Sequence, residues 1–195
     1  MSADQSQPAR RLLRRDARHA QLLSAATRAF AKDGFAATSL EDVASEAGVT
    51  KAIIYRHFDS KTTLYQESLD AVRRRIRERV GDDSTISQSS IDDTIAEAAN
   101  DPDGYRLLFE HARREPAFRS YSDDLTRVST DIAEAFLKDT ISDPRTRRWV
   151  AGQFVRIQTE LVLSWLDEGQ PVPPARLKSA IQATSQALVK SVLDT

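Results

Sequence analysis

The side chains best suited to contact a polyanion lie in one short stretch near residue 50. Thr50 and Lys51 are followed there by Tyr55, Arg56 and His57. Lysine and arginine bind phosphates or donate to base edges, and hydroxyl and imidazole groups donate to phosphate oxygens. A solvent-facing helix of an ordinary bundle would more often carry Glu/Lys pairs. We therefore interpret this stretch as a candidate nucleic-acid interface.

A helix is predicted to begin just upstream. The sequence Thr38-Ser39-Leu40-Glu41 has the spacing of a capping box, in which the Thr38 hydroxyl and the Glu41 carboxylate satisfy free backbone N–H groups. Apolar residues then keep the helical period as far as Gly48, which can adopt the left-handed conformation of a helix end. The spacing therefore predicts a short helix before the turn.

The residues after the turn predict a second short helix over 51–57, with Thr50 as its N-cap. Ile54 and Phe58 are left to face the core, so the polar and basic side chains face outward. Two short helices around a glycine-containing turn, over residues 39–57, match the helix-turn-helix motif. The second helix of that motif enters the major groove of DNA.

Helical spacing recurs along the chain and strand-like alternation is almost absent, which predicts an all-α fold. A helix over 16–32 precedes the motif and stops at Gly34. A long helix, capped by Ser60, follows it and ends at a polar break over 81–84. Five further helices are predicted over 90–100, 102–114, 116–139, 144–167 and 174–193.

These elements divide the chain into four predicted segments. They are a flexible basic N-terminal arm over 1–15, a three-helix helix-turn-helix DNA-binding domain over 16–62, a connecting helix over 63–81, and a larger helical domain over 82–195. Residues 1–80 hold 15 Lys/Arg against 10 Asp/Glu, whereas residues 81–195 hold 13 against 19. The positive charge therefore lies in the half that carries the helix-turn-helix.

An ordered series of short motifs runs through the first third of the chain. The motifs are Ala25-Ala26, Phe30, Gly34-Phe35, Thr38-Ser39-Leu40-Glu41-Asp42-Val43-Ala44, Ala47-Gly48-Val49-Thr50, Ile54-Tyr55-Arg56-His57-Phe58-Asp59-Ser60-Lys61 and Leu64. Such a series is far more specific than a bare helix-turn-helix, and residues 22–69 resemble the N-terminal domain of the TetR family of transcriptional regulators. The resemblance implies a homodimer, most often a repressor that a small-molecule effector releases from a palindromic operator in double-stranded DNA.

The resemblance implies a DNA contact for nine residues around the helix-turn-helix. The residues are Thr38 and Ser39 at the start of the second helix, Thr50, Lys51, Ala52, Tyr55, Arg56 and His57 in the third, and Lys61 at the start of the fourth. Thr38 and Ser39 would donate to a phosphate at a helix N-terminus. Lys51 would take part in base reading, whereas Lys61 would contact a phosphate.

Four arginines, Arg10, Arg11, Arg14 and Arg15, precede the region of resemblance. They could form an arm that follows phosphates or enters an adjacent minor groove. The alternative is a solvated tail, and we favour the arm because it adjoins a DNA-binding unit. The run Arg73-Arg74-Arg75 is interpreted instead as a solvated helix face.

The second half of the chain holds more aromatic side chains than neat helix packing requires, as an apolar pocket with a few polar groups would. In the resembled family this region binds the effector, and the last two long helices form the dimer interface. We predict pocket residues Tyr105, Phe109, Arg113, Tyr121, Trp149, Phe154, Gln158, Leu161 and Trp165, and interface residues Leu177, Ile181, Leu188 and Val192. The acidic balance of this half predicts a mainly apolar effector that is neutral or cationic.

Two other classes of function were weighed against DNA binding. An enzyme is disfavoured because His19, His57 and His111 lie on different predicted helices without ligand spacing, and no phosphate loop or nucleophile elbow occurs. A helical module that binds protein is the other alternative. No cofactor, metal site or membrane helix is predicted, and the chain has no cysteine, which fits a cytoplasmic protein.

Overall fold

Every regular element in the described part of the chain is a helix. A computed structural model describes the backbone of residues 6–80 and 90–194, and the side chains of residues 15–79 and 91–194. The helices are α1 Ser6–Ala37, α2 Leu40–Ala47, α3 Lys51–Tyr55, α4 Lys61–Val80, α5 Ser90–Asn100, α6 Pro102–Arg106, a π-helical stretch Leu107–Ala112, α7 Arg119–Phe136, α8 Pro144–Asp167 and α9 Pro174–Leu193. The predicted all-α fold is confirmed.

The chain divides into two compact units, residues 1–71 and 72–195, so the boundary falls within α4. In the first unit, α2 packs against both α1 and α3. Its core is made of fully buried apolar side chains from all four helices, among them Leu22, Phe30, Val43, Ile54, Leu64 and Tyr65. Phe30 and Tyr65 meet edge to face, with 4.8 Å between their ring centroids.

The helix α1 begins at Ser6, ten residues before the predicted start at Asp16. Pro8 lies in the first turn, where its missing N–H removes no hydrogen bond. Alanine, arginine and leucine, which favour helix, continue from there. The segment predicted as a flexible arm is therefore helical from Ser6. The side chains of Arg10, Arg11 and Arg14 lie outside the described residues. At its other end, the helix breaks at Gly34, where φ is 77°.

The cap of α2 differs from the prediction by one residue. Ser39, rather than Thr38, is the N-cap, and its hydroxyl accepts a hydrogen bond from the Asp42 backbone N–H at 3.1 Å. The Asp42 carboxylate in turn accepts from the Ser39 backbone N–H at 2.7 Å. Both patterns place a hydroxyl three residues before a carboxylate. Ser39, and not Thr38, caps the helix because the Thr38 side chain is buried.

In the second unit, α8 packs against α7 and α9, and α5 packs against α9. Proline in the first turn starts α6, α8 and α9 as predicted. The helix predicted from Pro116 starts at Arg119 instead, because residues 115–118 form a turn in which the Phe118 N–H donates to the Glu115 carbonyl at 2.9 Å. Within the described ranges, none of the helices combines the length and the apolar character needed to cross a membrane.

Candidate nucleic-acid interface and ligand cavity

Helix α3, which we call the recognition helix because the sequence predicts that it enters the major groove, presents its polar side outward as predicted. Ile54 and Phe58 are 0% and 2% exposed and fix the helix to the core. The residues between and before them are exposed or half-buried: Thr50, Lys51, Ala52, Tyr55, Arg56 and His57. Tyr55 is 53% exposed, which is unusual for a large aromatic residue in a monomeric unit and leaves its hydroxyl available.

The turn before α3 depends on Gly48, whose φ of 65° lies in the left-handed region. Its backbone N–H donates to the carbonyls of Ala44 and Ser45, which closes α2. Thr50 then starts α3 in an extended conformation but makes no capping hydrogen bond with its side chain. A tight turn therefore brings the first turn of α3 close to the first turn of α2.

This turn pairs Lys51 with Glu41, a residue that the sequence analysis assigned only to a helix cap. The Lys51 Nζ donates to the Glu41 Oε1 at 2.5 Å, and both side chains are exposed to solvent. The pair raises the pKa of Lys51 and lowers the pKa of Glu41, chiefly through this hydrogen bond. Spacing along the chain gives no signal of the contact, because it depends on the angle between two helices.

His57 lies at the end of the recognition helix beside a second histidine. The ring centroids of His57 and His19 are 6.0 Å apart, and the His19 Nε2 lies 3.0 Å from the Glu67 carboxylate. Burial lowers the pKa of His57, and His19 and the arginines 15 and 18 lower it further. His57 is therefore a neutral ring at neutral pH in the DNA-free protein.

Lys61 starts α4 at the outside of the same unit. Its Nζ lies 4.5 Å from the ring centroid of Phe35 and 3.5 Å from the carbonyl oxygen of Ala36. Ser60 caps the helix, since its hydroxyl accepts from the Thr63 backbone N–H at 3.0 Å. The predicted cap is confirmed, and it fixes the backbone from which Lys61 projects.

Thr38 is not placed to contact a phosphate, which corrects the prediction. Its side chain is 3% exposed, and its hydroxyl donates to the carbonyl oxygen of Gly34 at 2.7 Å. The Ser39 hydroxyl is engaged by the Asp42 carboxylate at 2.7 Å. These hydrogen bonds lower the pKa of Asp42, so an ionised carboxylate stands beside Ser39. The start of α2 is therefore less suited to an anion than the sequence suggests.

The first unit matches a known domain. Residues 22–68 match the family model for bacterial regulatory proteins of the tetR family. The HTH-type transcriptional activator FasR of Mycolicibacterium smegmatis is 29% identical over 184 residues, which cover 89% of this chain and 82% of that protein. The chain is thus similar to TetR-family transcriptional regulators, through the family model over residues 22–68 and through one regulator over most of its length.

Other similar proteins match either a short segment or most of the chain. The HTH-type transcriptional regulator TtgR of Pseudomonas putida is 51% identical, but over only 53 residues, or 27% of this chain and 25% of that protein. A TetR-like regulator from Rhodococcus sp. RHA1 shares the fold at a TM-score of 0.71 and 15% identity, over 87% of this chain and 93% of that one. The fold is thus shared along most of the chain, whereas the 51% identity is limited to a segment of 53 residues.

The second unit contains a cavity of about 660 Å³. Helices α4 to α9 all contribute, and the walls combine apolar side chains with hydroxyl and amide groups. Four of the predicted pocket residues line it: Tyr105, Phe109, Phe154 and Gln158. Tyr105 is almost fully buried, which raises the pKa of its hydroxyl.

Five predicted pocket residues do not line this cavity. The Trp165 indole is buried and donates to the Val172 carbonyl at 2.7 Å, while Leu161 packs against the same core cluster. Trp149 is 53% exposed. Arg113 pairs with Glu160 at 2.9 Å, and the Arg73 guanidinium lies 5.2 Å from the Tyr121 ring centroid. Residues near one another in sequence point to different sides of their helices.

Glu97 is a cavity residue that the sequence analysis missed. It lies on α5, is 7% exposed and lines the cavity. The guanidinium groups of Arg75 and Arg79 approach its carboxylate to 3.9 and 3.7 Å. Burial nevertheless raises the pKa of Glu97, because it outweighs the two arginines. The sequence feature that could have identified Glu97 is a carboxylate among the small apolar residues of α5.

The predicted interface residues divide into two pairs. Leu177 and Ile181 are 5% and 1% exposed, so they pack inside their own unit and cannot face a partner. Leu188 and Val192 are half-buried and pack against a smaller apolar cluster around Leu137. The outward face of α9 carries small residues instead: Ala180, Ala183 and Ala187.

Proposed function

We propose that this protein represses transcription as a homodimer on a pseudo-palindromic operator and is released by a small molecule. The observation that carries the proposal is the recognition helix, whose basic and hydroxyl side chains face outward while Ile54 and Phe58 anchor it. Each subunit would place one such helix in the major groove. The two half-sites would then lie about one turn of DNA, roughly 34 Å, apart.

Release by an effector follows from a difference in affinity. A ligand that binds the cavity better in one conformer shifts the population toward that conformer. The cavity of about 660 Å³ is large enough for a drug-sized molecule. Among structural neighbours, NalD of Pseudomonas aeruginosa is named a repressor, at a TM-score of 0.58 and 20% identity over 89% of this chain and 96% of that one. We infer repression because a dimer bound to promoter DNA blocks its use by other proteins.

The DNA-binding proposal is tested by two lysine substitutions on a randomised operator library. Lys61→Ala should weaken all sequences alike and flatten the dependence of log affinity on log salt by about one unit, since one phosphate contact is lost. Lys51→Ala should alter the sequence preference as well as the affinity, because Lys51 starts the recognition helix. Lys32→Ala, an exposed lysine on α1, is the control for the change in net charge.

Identical preference profiles for Lys51→Ala and Lys61→Ala would show that Lys51 does not read bases. If wild-type protein bound no duplex DNA even at low salt, the DNA-binding function itself would be wrong. The two outcomes are distinguishable. In the first, the protein still binds DNA and only the base-reading role of Lys51 is lost, whereas in the second no binding to DNA is measured at all.

The effector proposal predicts a weak response from both tryptophans. The cavity contacts α8 from Phe154 to Thr159. Trp149 lies five residues before this segment and Trp165 six residues after it, or roughly 8 and 9 Å along the helix axis. We therefore expect slight quenching when a DNA-releasing ligand is titrated into Trp149→Phe and into Trp165→Phe. Strong quenching in one variant alone would place the ligand outside this cavity.

A further inference from the structure

We propose that Glu97 anchors a cationic ligand, whose ammonium or amidinium group binds the carboxylate while an apolar body fills the cavity. This inference rests on the proposed function of the cavity as the effector site. It narrows the effector from a neutral or cationic molecule to a cation that donates hydrogen bonds.

The first observation is the charge of the cavity wall. Among the described residues that line the cavity, Glu97 alone carries a charged side chain. The other polar groups are hydroxyls and amides, such as Thr159, Gln158 and Gln182. An anionic ligand, such as a carboxylate or a phosphate, would meet no cationic side chain on this wall, whereas a cationic ligand would meet one carboxylate.

The second observation is that no described residue donates a hydrogen bond to the Glu97 carboxylate. In the part of the chain that the structure describes, the nearest charged groups are Arg75 Nε at 3.9 Å and Arg79 Nη1 at 3.7 Å. Both distances exceed those of an N–H···O hydrogen bond. Arg75 is bound instead by the Asp101 carboxylate. A buried carboxylate with unfilled acceptor sites is unfavourable, and a ligand with N–H donors would remove that penalty.

Two further features favour a cation over a neutral donor. Tyr105 and Phe109 line the same cavity with 4.6 Å between their ring centroids, and aromatic faces attract cations. The arginines 75 and 79 are partly exposed, so they can turn toward water when an ammonium group takes their place at Glu97. Binding would then loosen the ion pairs that join α4 to α5.

The experiment compares three probes that share one chain and differ only in the head group: decylamine, decanol and decanoate. Each would displace the neutral dye Nile red from the full-length protein at pH 7.5, below the concentration at which the probe forms micelles. Wild-type protein should bind decylamine about tenfold more tightly than decanol, a difference typical of one charge-assisted hydrogen bond, and decanoate more weakly than decanol.

The variant Glu97→Gln keeps the size of the side chain and removes its charge. It should bind decylamine within about threefold of decanol, since only the neutral amide then faces the head group. Its affinity for decanol should stay within about twofold of the wild-type value, which also shows that the cavity is folded. Glu160→Gln, an exposed glutamate on α8, is the matched control and should keep the preference for the amine.

The preference among head groups decides the inference, even if Glu97→Gln fails to fold. Equal binding of decylamine and decanol by wild-type protein, or a preference for decanoate, would overturn it. Retention of the amine preference in folded Glu97→Gln would do the same. Failure of Nile red and all three probes to bind would remove the effector cavity as well, whereas decanol binding without amine preference would leave the cavity standing.

Discussion

At the scale of single residues, Lys51 has two competing partners. In the DNA-free protein its ammonium is held by the Glu41 carboxylate, and in a complex it would be held by DNA. Both side chains are exposed, so the pair is weak and a phosphate or base edge can replace it. If Lys51 contacts DNA as proposed, Glu41 should oppose DNA binding of any sequence, through competition for Lys51 and through repulsion of phosphates.

Removal of the Glu41 charge should strengthen binding to DNA of any sequence. We expect Glu41→Gln to raise the affinity for a mixed-sequence duplex by roughly two- to fivefold, because one like charge near the phosphates is lost. The salt dependence should steepen by up to about one unit, since Lys51 no longer leaves an ion partner behind. Fluorescence anisotropy of a labelled duplex over a series of salt concentrations measures both quantities.

The control for Glu41→Gln is Asp33→Asn, which changes the net charge equally at an exposed position on α1. An equal gain in the control would show that the effect is one of net charge alone. The double variant Lys51→Ala with Glu41→Gln tests the pairing, because the part of the gain that comes from competition for Lys51 should vanish when Lys51 is absent. A gain that persists in full would contradict competition for Lys51.

At the scale of elements, the turn between α2 and α3 decides whether the recognition helix can form where it does. Gly48 holds a φ of 65°, and a Cβ at this position would meet no atom within 4 Å. The requirement for glycine is therefore conformational and not steric. Gly152 offers the matched case, since it lies within α8 and a Cβ there also meets nothing within 4 Å.

The two glycines should respond to alanine with opposite signs. We expect Gly48→Ala to lower the free energy of unfolding by about 1 kcal/mol, because alanine disfavours the left-handed region. Gly152→Ala should raise it by about 0.5–1 kcal/mol, because alanine loses less backbone entropy in a helix. Urea unfolding followed by circular dichroism measures both changes. A loss of stability in both variants would mean that packing, and not backbone conformation, governs these sites.

At the scale of the whole molecule, the proposed operator symmetry requires a dimer. The burial of Leu177 and Ile181 within their own unit leaves the small residues on the outward face of α9 for contact with a second copy. Small side chains allow two helices to approach closely. A two-fold interface built from α8 and α9 of each subunit should bury at least about 1,200 Å² in total.

A single charge on that face should separate the subunits. Ala187 is exposed in the single chain, so Ala187→Glu should fold normally yet bury two glutamates near the two-fold axis of a dimer. We expect sedimentation at micromolar concentration to give a dimer for wild-type protein and a monomer for the variant. Ala117→Glu, an exposed alanine outside the helices, is the control and should remain dimeric. A monomeric wild-type protein would contradict the interface.

Much of the fold can be predicted from short-range features of the sequence. Proline in the first turn predicts the starts of α8 and α9, and Gly48 and Ser60 predict the end of α2 and the start of α4. These signals act within a few residues of the backbone they constrain, so one sequence is enough to interpret them. The outward face of α3 can also be predicted from the local sequence, because helical periodicity alone places Ile54 inside.

Contacts between distant segments were decided only by the tertiary structure. Leu177 and Ile181 form an apolar stripe that suits a dimer interface equally well, until the unit's own core covers them. In the sequence, Glu97 and Thr38 resemble polar surface residues. Glu97 nevertheless lines a cavity, and the Thr38 hydroxyl donates a hydrogen bond to a backbone carbonyl inside the core. Periodicity shows which face of a helix is apolar, but the partner that covers it depends on how helices far apart in sequence pack together.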